Sequence, residues 1–138
     1  MAELAIERAG NDEVRALAER IVAAQGPEIE TLTSWLDAWG EELTDPSDME
    51  GMEGMEPGGT PTEGMDQDAV MAELSQLTGT DFDRRFLEVM TEHHRGAVEM
   101  AEQHRQEGEN PEALQLSEAV IDAQTLEITE MTNLLREL

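Results

Sequence analysis

Residues 1–39 of this chain align without a gap onto residues 100–138, and about a third of the 39 paired positions are identical. Met1-Ala2-Glu3 pairs with Met100-Ala101-Glu102, Asn11 with Asn110, Leu17 with Leu116 and Ala24-Gln25 with Ala123-Gln124. Further along, Glu28-Ile29 pairs with Glu127-Ile128, Thr33 with Thr132 and Leu36 with Leu135. Identity over so long an ungapped stretch is the mark of a duplicated unit, so one structural solution has to serve both ends of the chain.

That solution is helical. In residues 12–39, Val14, Leu17, Ile21, Gln25, Glu28 or Ile29, Leu32, Trp35 or Leu36, and Trp39 follow one another at intervals of three and four, and the apolar majority of them forms the stripe an amphipathic helix requires. Asn11 reads as the N-cap, and Asp12 and Glu13 complement the positive end of the helix dipole. Gly26-Pro27 is expected to kink this helix or split it in two. A short helix is expected from about residue 66 to 77, broken by Thr78-Gly79-Thr80. A long helix, capped by Thr80 or Asp81, then reaches to about Glu107. After a turn at 108–111, Asn110 with Pro111 at the first helical position starts a last helix running to the C-terminus.

Three segments follow: a first repeat at 1–39, a linker at 40–66 rich in Met, Gly and Glu, and a second repeat at 67–138. The second repeat has a full helix before Met100 that carries His93 and His94, and the first repeat has no counterpart to it. The alignment therefore predicts that the first repeat is truncated at its N-terminus and that the natural protein extends upstream. Completed, the duplication would give an antiparallel four-helix bundle. As it stands, an apolar groove is expected, and a homodimer is one way of covering it.

Composition narrows the function classes. There are 33 acidic residues against 8 basic ones, all arginine, for a formal charge of −25. Phosphate neutralisation needs basic groups, so nucleic acid is excluded as a partner, as are anionic membrane surfaces. The charge favours solubility and cations. Without cysteine there is no disulfide and no thiolate metal site. No apolar run nears the roughly 18 residues of a membrane span, so no membrane insertion is expected. Met1 opens no signal peptide, lacking a basic and then an apolar region.

On a helical wheel, Phe86, Leu87, Met90, His93, His94, Ala97, Met100, Ala101 and His104 share a sector about 140° wide. All three histidines of the chain are thus expected to face the interior, with Met90 and Met100 beside them. Imidazole and thioether donors suit soft or borderline metals, copper above all and Cu(I) in particular, with silver following on the same ground. Met49, Met52 and Met55, three residues apart in the linker, are candidate extra thioether ligands. Gln124 and Glu127 interrupt the apolar stripe of the last helix, and buried polar groups need partners. They read either as a layer that orients the imidazoles or as one that merely fixes packing.

Enzymatic chemistry finds no support. No glutamate stands three residues before any histidine, as a di-iron carboxylate bundle requires. There is no His-Glu-x-x-His zinc motif and no glycine-rich phosphate loop.

The stretch Phe86-Leu87, Met90, His93-His94-x-x-Ala97-x-x-Met100-Ala101, preceded by Asp81 and Asp83, resembles the hallmark of the bacterial family called domain of unknown function 305. Gln124-x-x-Glu127-Ile128-x-x-Met131 and Gln25-x-x-Glu28-Ile29 resemble its downstream half. The resemblance spans nearly all of the chain outside the linker. It implies a ferritin-like helical bundle, usually duplicated and usually exported or lipoprotein-anchored, with some members tied to copper binding or tolerance. It carries over His93, His94, Met90 and Met100 as the candidate site, to which the wheel adds His104. The missing first His-His helix is the departure from the family pattern.

The expectation is therefore an all-α, non-enzymatic, extracytoplasmic metal-binding protein, copper being the metal. The competing expectation is a structural or interaction bundle in which the His/Gln/Glu layer only fixes helix register. A ferritin-like oxidase stripped of its ligands is the weakest of the three readings.

Overall fold

The computed structural model describes residues 1–39 and 67–138, apart from the side chains of residues 28, 29, 32, 35–39 and 67. Within these residues lie five helices and no strand: α1 (Ala2–Arg8), α2 (Asp12–Trp39), α3 (Gln67–Leu74), α4 (Gly79–Glu107) and α5 (Pro111–Glu137). The linker expected at 40–66, with Met49, Met52 and Met55, lies outside the described residues.

Helices α4 and α5 form a hairpin with the most extensive pairing in the molecule, and α1 with α2 forms a second, smaller one. The two hairpins have matched bounds. In the repeat alignment α1 falls on residues 101–107, the last two turns of α4, and Asp12 falls on Pro111, where α5 begins. Asn110 caps α5 as its sequence requires, its Oδ1 accepting from the N–H groups of Glu112 and Ala113. Asn11 does the same for α2, accepting from Glu13 N at 2.7 Å.

Two expectations about helix boundaries are corrected. α2 is not split at Gly26-Pro27 but runs unbroken through Pro27. The proline forfeits its own hydrogen bond and crowds the carbonyl one turn back. Here Ala23, Ala24, Gly26 and Pro27 are all exposed, so water can satisfy the freed carbonyl. α4 begins at Gly79 rather than after Thr80 or Asp81. Gly79 adopts φ +61°, and Thr78 takes the N-cap position without a side-chain bond.

The core gathers Ala2, Ala5 and Ala9 with Val14, Leu17, Ala18 and Ile21 of α2, Val70 and Leu74 of α3, and Phe82, Phe86, Leu87, Val89 and Met90 of α4. Met131 and Leu134 close it from α5. Small residues on α1 let its backbone approach the long helices. Phe82 and Phe86, one turn apart, stack with centroids 6.0 Å apart and fill the space beneath.

Buried among these apolar side chains is Asp83, 1% exposed. Its Oδ1 accepts from Gly10 N and its Oδ2 from Asn11 N, each at 2.9 Å. The carboxylate thus satisfies two backbone donors of the α1–α2 turn and clamps that turn to the start of α4. Gly10 permits the approach, because a Cβ there would lie 2.7 Å from the Gly79 Cα. Arg15 seals the other side of the turn, donating to the carbonyls of Ile6 and Ala9 at the end of α1.

Candidate metal centre

α4 carries the three histidines to three different environments. Its period places His93, His94 and Met90 toward neighbouring helices, and burial distinguishes them: His94 is 1% exposed, Met90 3%, and His93 is half-buried. The expectation that all three histidines face the interior holds fully for His94, partly for His93 and not for His104, which is exposed.

His94 is anchored. Its Nε2–H donates to Glu127 Oε2 of α5 at 2.7 Å, so the acidic residue in the apolar stripe of α5 does have the histidine partner anticipated for it. His94 Nδ1 is buried and has no hydrogen-bond partner among the described residues, and neither has Gln124 Oε1, one turn before Glu127.

His93 points elsewhere. It lines a cavity of about 310 Å³ together with Met1, Ala2, Gln25, Met71 and Met90. Its ring lies 6.1 Å from that of His94 at 56° to it, and its Nδ1 is also buried without a partner among the described residues. Burial first, then the neighbouring His94 and the N-terminal amine, push the His93 imidazole below its ordinary histidine value. A neutral ring with an unclaimed lone pair is what a metal ligand must supply.

His104 and Met100 stand apart from the cavity. Ser117 Oγ gives its proton to Ala113 O at 3.1 Å, so His104 Nδ1–H donates to Ser117 Oγ at 2.8 Å, within the α4–α5 hairpin. Met100 is 37% exposed and does not line the cavity. Met1, its counterpart in the repeat, does. So does Gln25, the counterpart of Gln124. The sequence pattern missed Met71, which arrives on α3. Its only signal was a methionine on a short helix just before the histidine helix.

Three thioethers and one imidazole on a single cavity form a soft donor set that fits copper, and Cu(I) best. Hard-ion geometry is lacking. Among the described residues no three of His, Asp and Glu converge as a metal cage.

Residues 1–135 match the model of the family described as Domain of unknown function (DUF305). This chain belongs to that family. The DUF305 chain is also similar in structure to a DUF305 protein of Streptomyces coelicolor, named provisionally as a secreted protein. That match has 33% identity and a TM-score of 0.81 over 99% of this chain and 80% of the other. A second similar structure is CopM in its Cu(II)-bound form, at 30% identity and TM-score 0.76 over 99% of this chain and 84% of the other. CopM in its Cu(I)-bound form matches at 28% identity and TM-score 0.75, covering 99% of this chain and 83% of CopM. No functionally curated protein matches the chain. Among the described residues, no helix of this DUF305 protein is long and apolar enough to cross a membrane.

Proposed function

We propose that this DUF305 protein binds copper, as cargo rather than as a catalytic cofactor, and that His93 and Met90 of the cavity beside α4 are central ligands. The observation that carries the reading is the cavity itself, which His93 lines together with the thioethers of Met1, Met71 and Met90, while the buried His93 Nδ1 has no hydrogen-bond partner among the described residues. The likeness to CopM, which is named in copper-bound forms, supports the choice of metal. The role is non-enzymatic: no Glu-x-x-His motif is present to build an oxygen-activating centre. An extracytoplasmic setting is in keeping with the provisional naming of the Streptomyces coelicolor relative. The matched bounds of the two hairpins favour reading the chain as carrying two copies of one helical unit.

Within this reading His94 is a positioning residue. Its Nε2 is engaged by Glu127, and that bond ties α4 to α5 one residue from the proposed ligand. The same bond favours the second reading, a structural bundle, since a satisfied His–Glu pair needs no metal to explain it.

The deciding experiment is a Cu(I) titration under reducing conditions against a competing chromogenic chelator. It compares the protein with a His93→Ala/His94→Ala double variant. Tight stoichiometric binding that the double variant loses supports the proposal. Binding that survives moves the site toward Met49, Met52 and Met55, and no binding favours the structural bundle.

A further inference from the structure

The side chains of the cavity that can ligate a metal come from three separate segments: Met1 at the N-cap of α1, Met71 on α3, and Met90 with His93 on α4. We propose that Met71 and Met1 are donors alongside Met90 and His93. The cavity would then take a monovalent d10 cation, Cu(I) or Ag(I), through three thioethers and one imidazole, and discriminate against harder divalent ions. This inference rests on the reading of the cavity as a metal site and names the rest of its donor set.

The lining itself argues for selectivity. Among the described residues the cavity wall carries no carboxylate: beyond the donors it holds Ala2 and the neutral amide of Gln25. Divalent ions such as Zn(II) are drawn to sites by carboxylate or several imidazoles, whereas thioethers select Cu(I). With no carboxylate among the described lining residues, the softness of the donors is the attraction the wall offers.

Met71 is also held in place. Two residues on, Glu73 makes a two-pronged pair with Arg85 of α4, at 3.0 and 2.9 Å. At the end of the same helix, Ser75 O accepts from Arg8 Nη1 of α1 at 2.9 Å. α3 is thus docked on both other segments that supply donors, and a metal bound between them would fasten all three together.

The test uses the intact protein labelled with methyl-13C methionine and titrated with silver nitrate, each methyl resonance being assigned from Met→Leu variants. The methyls of Met1, Met71 and Met90 are expected to shift together up to one equivalent, while that of the exposed Met100 stays still. In a parallel Cu(I) competition, Met71→Leu should weaken binding by at least the roughly 10–100-fold that losing a ligand's supporting partner costs. Met100→Leu should leave it unchanged. An unmoved Met71 methyl with full affinity in Met71→Leu overturns the added donors. If His93→Ala abolishes binding in that case, the site itself still stands. If His93→Ala keeps full affinity, the cavity is not the metal site and the proposal falls with it.

Discussion

His94 Nε2 lies 2.7 Å from Glu127 Oε2, while the adjacent His93 turns its ring away into a cavity lined by methionines. Two neighbours in one dipeptide thus have different duties, one joining helices and the other lining the cavity.

Single substitutions should separate them. His94→Ala or Glu127→Ala removes one partner of a part-buried pair and is expected to lower unfolding stability by about 1–3 kcal/mol. His93→Ala, in the metal-free protein, breaks no hydrogen bond and should cost under about 1 kcal/mol. Urea unfolding of the three variants checks this. Equal losses for His93→Ala and His94→Ala would contradict the division of labour.

Acidification should weaken the metal-free fold through His93. Its folded value is depressed, by burial first, then by His94 and the N-terminal amine. The unfolded chain therefore takes up a proton near pH 6.5 where the folded chain still resists it. The contribution is fully present above about pH 6.5 and is lost as pH falls below it toward the lower folded value. Denaturant midpoints measured from pH 7.5 down to 5.5 are expected to fall less steeply for His93→Ala than for the parent. Parallel curves would show that this imidazole does not carry the effect.

The clamp at the α1–α2 turn should be among the most sensitive places in the molecule. Asp83→Ala strands the N–H groups of Gly10 and Asn11 and is expected to cost about 2–3 kcal/mol, as bonds to a charged acceptor do. Gly10→Ala drives a methyl against the Gly79 backbone and should cost about 1–3 kcal/mol by overpacking. Thermal unfolding of both variants beside Asp81→Ala, an exposed acid two residues away, gives the comparison. A Gly10→Ala midpoint equal to the parent's would rule out the close approach.

Much of this architecture was legible in the residues. Asn11, Asn110 and Pro111 mark helix starts because their chemistry is local, and they do so here. The stripe Phe86, Leu87, Met90, His94 on α4 is inward because a 3.6-residue period fixes which side chains share a face. The same wheel misjudged Met100 and His104, since sharing a face does not say how far along the helix that face is covered. Met71 and Met1 escaped notice for another reason. They meet His93 only through packing between segments distant in sequence, which no local pattern records. At Pro27 the expected split does not occur, the proline's cost to α2 being met in an exposed segment.

The Asp83 clamp and the His93 cavity are ten residues apart on one helix, about 15 Å of rise and a little under three turns. α4 is consequently a ruler whose zero is pinned at Gly10 and Asn11 and whose phase decides which imidazole reaches the methionines. Deleting a single residue between 83 and 93 would advance that phase by about 100°, bringing His94 into the cavity's register and leaving Glu127 with no ring to hold. Substitutions along this span change the strength of the fold, whereas a change in its length would reassign the site.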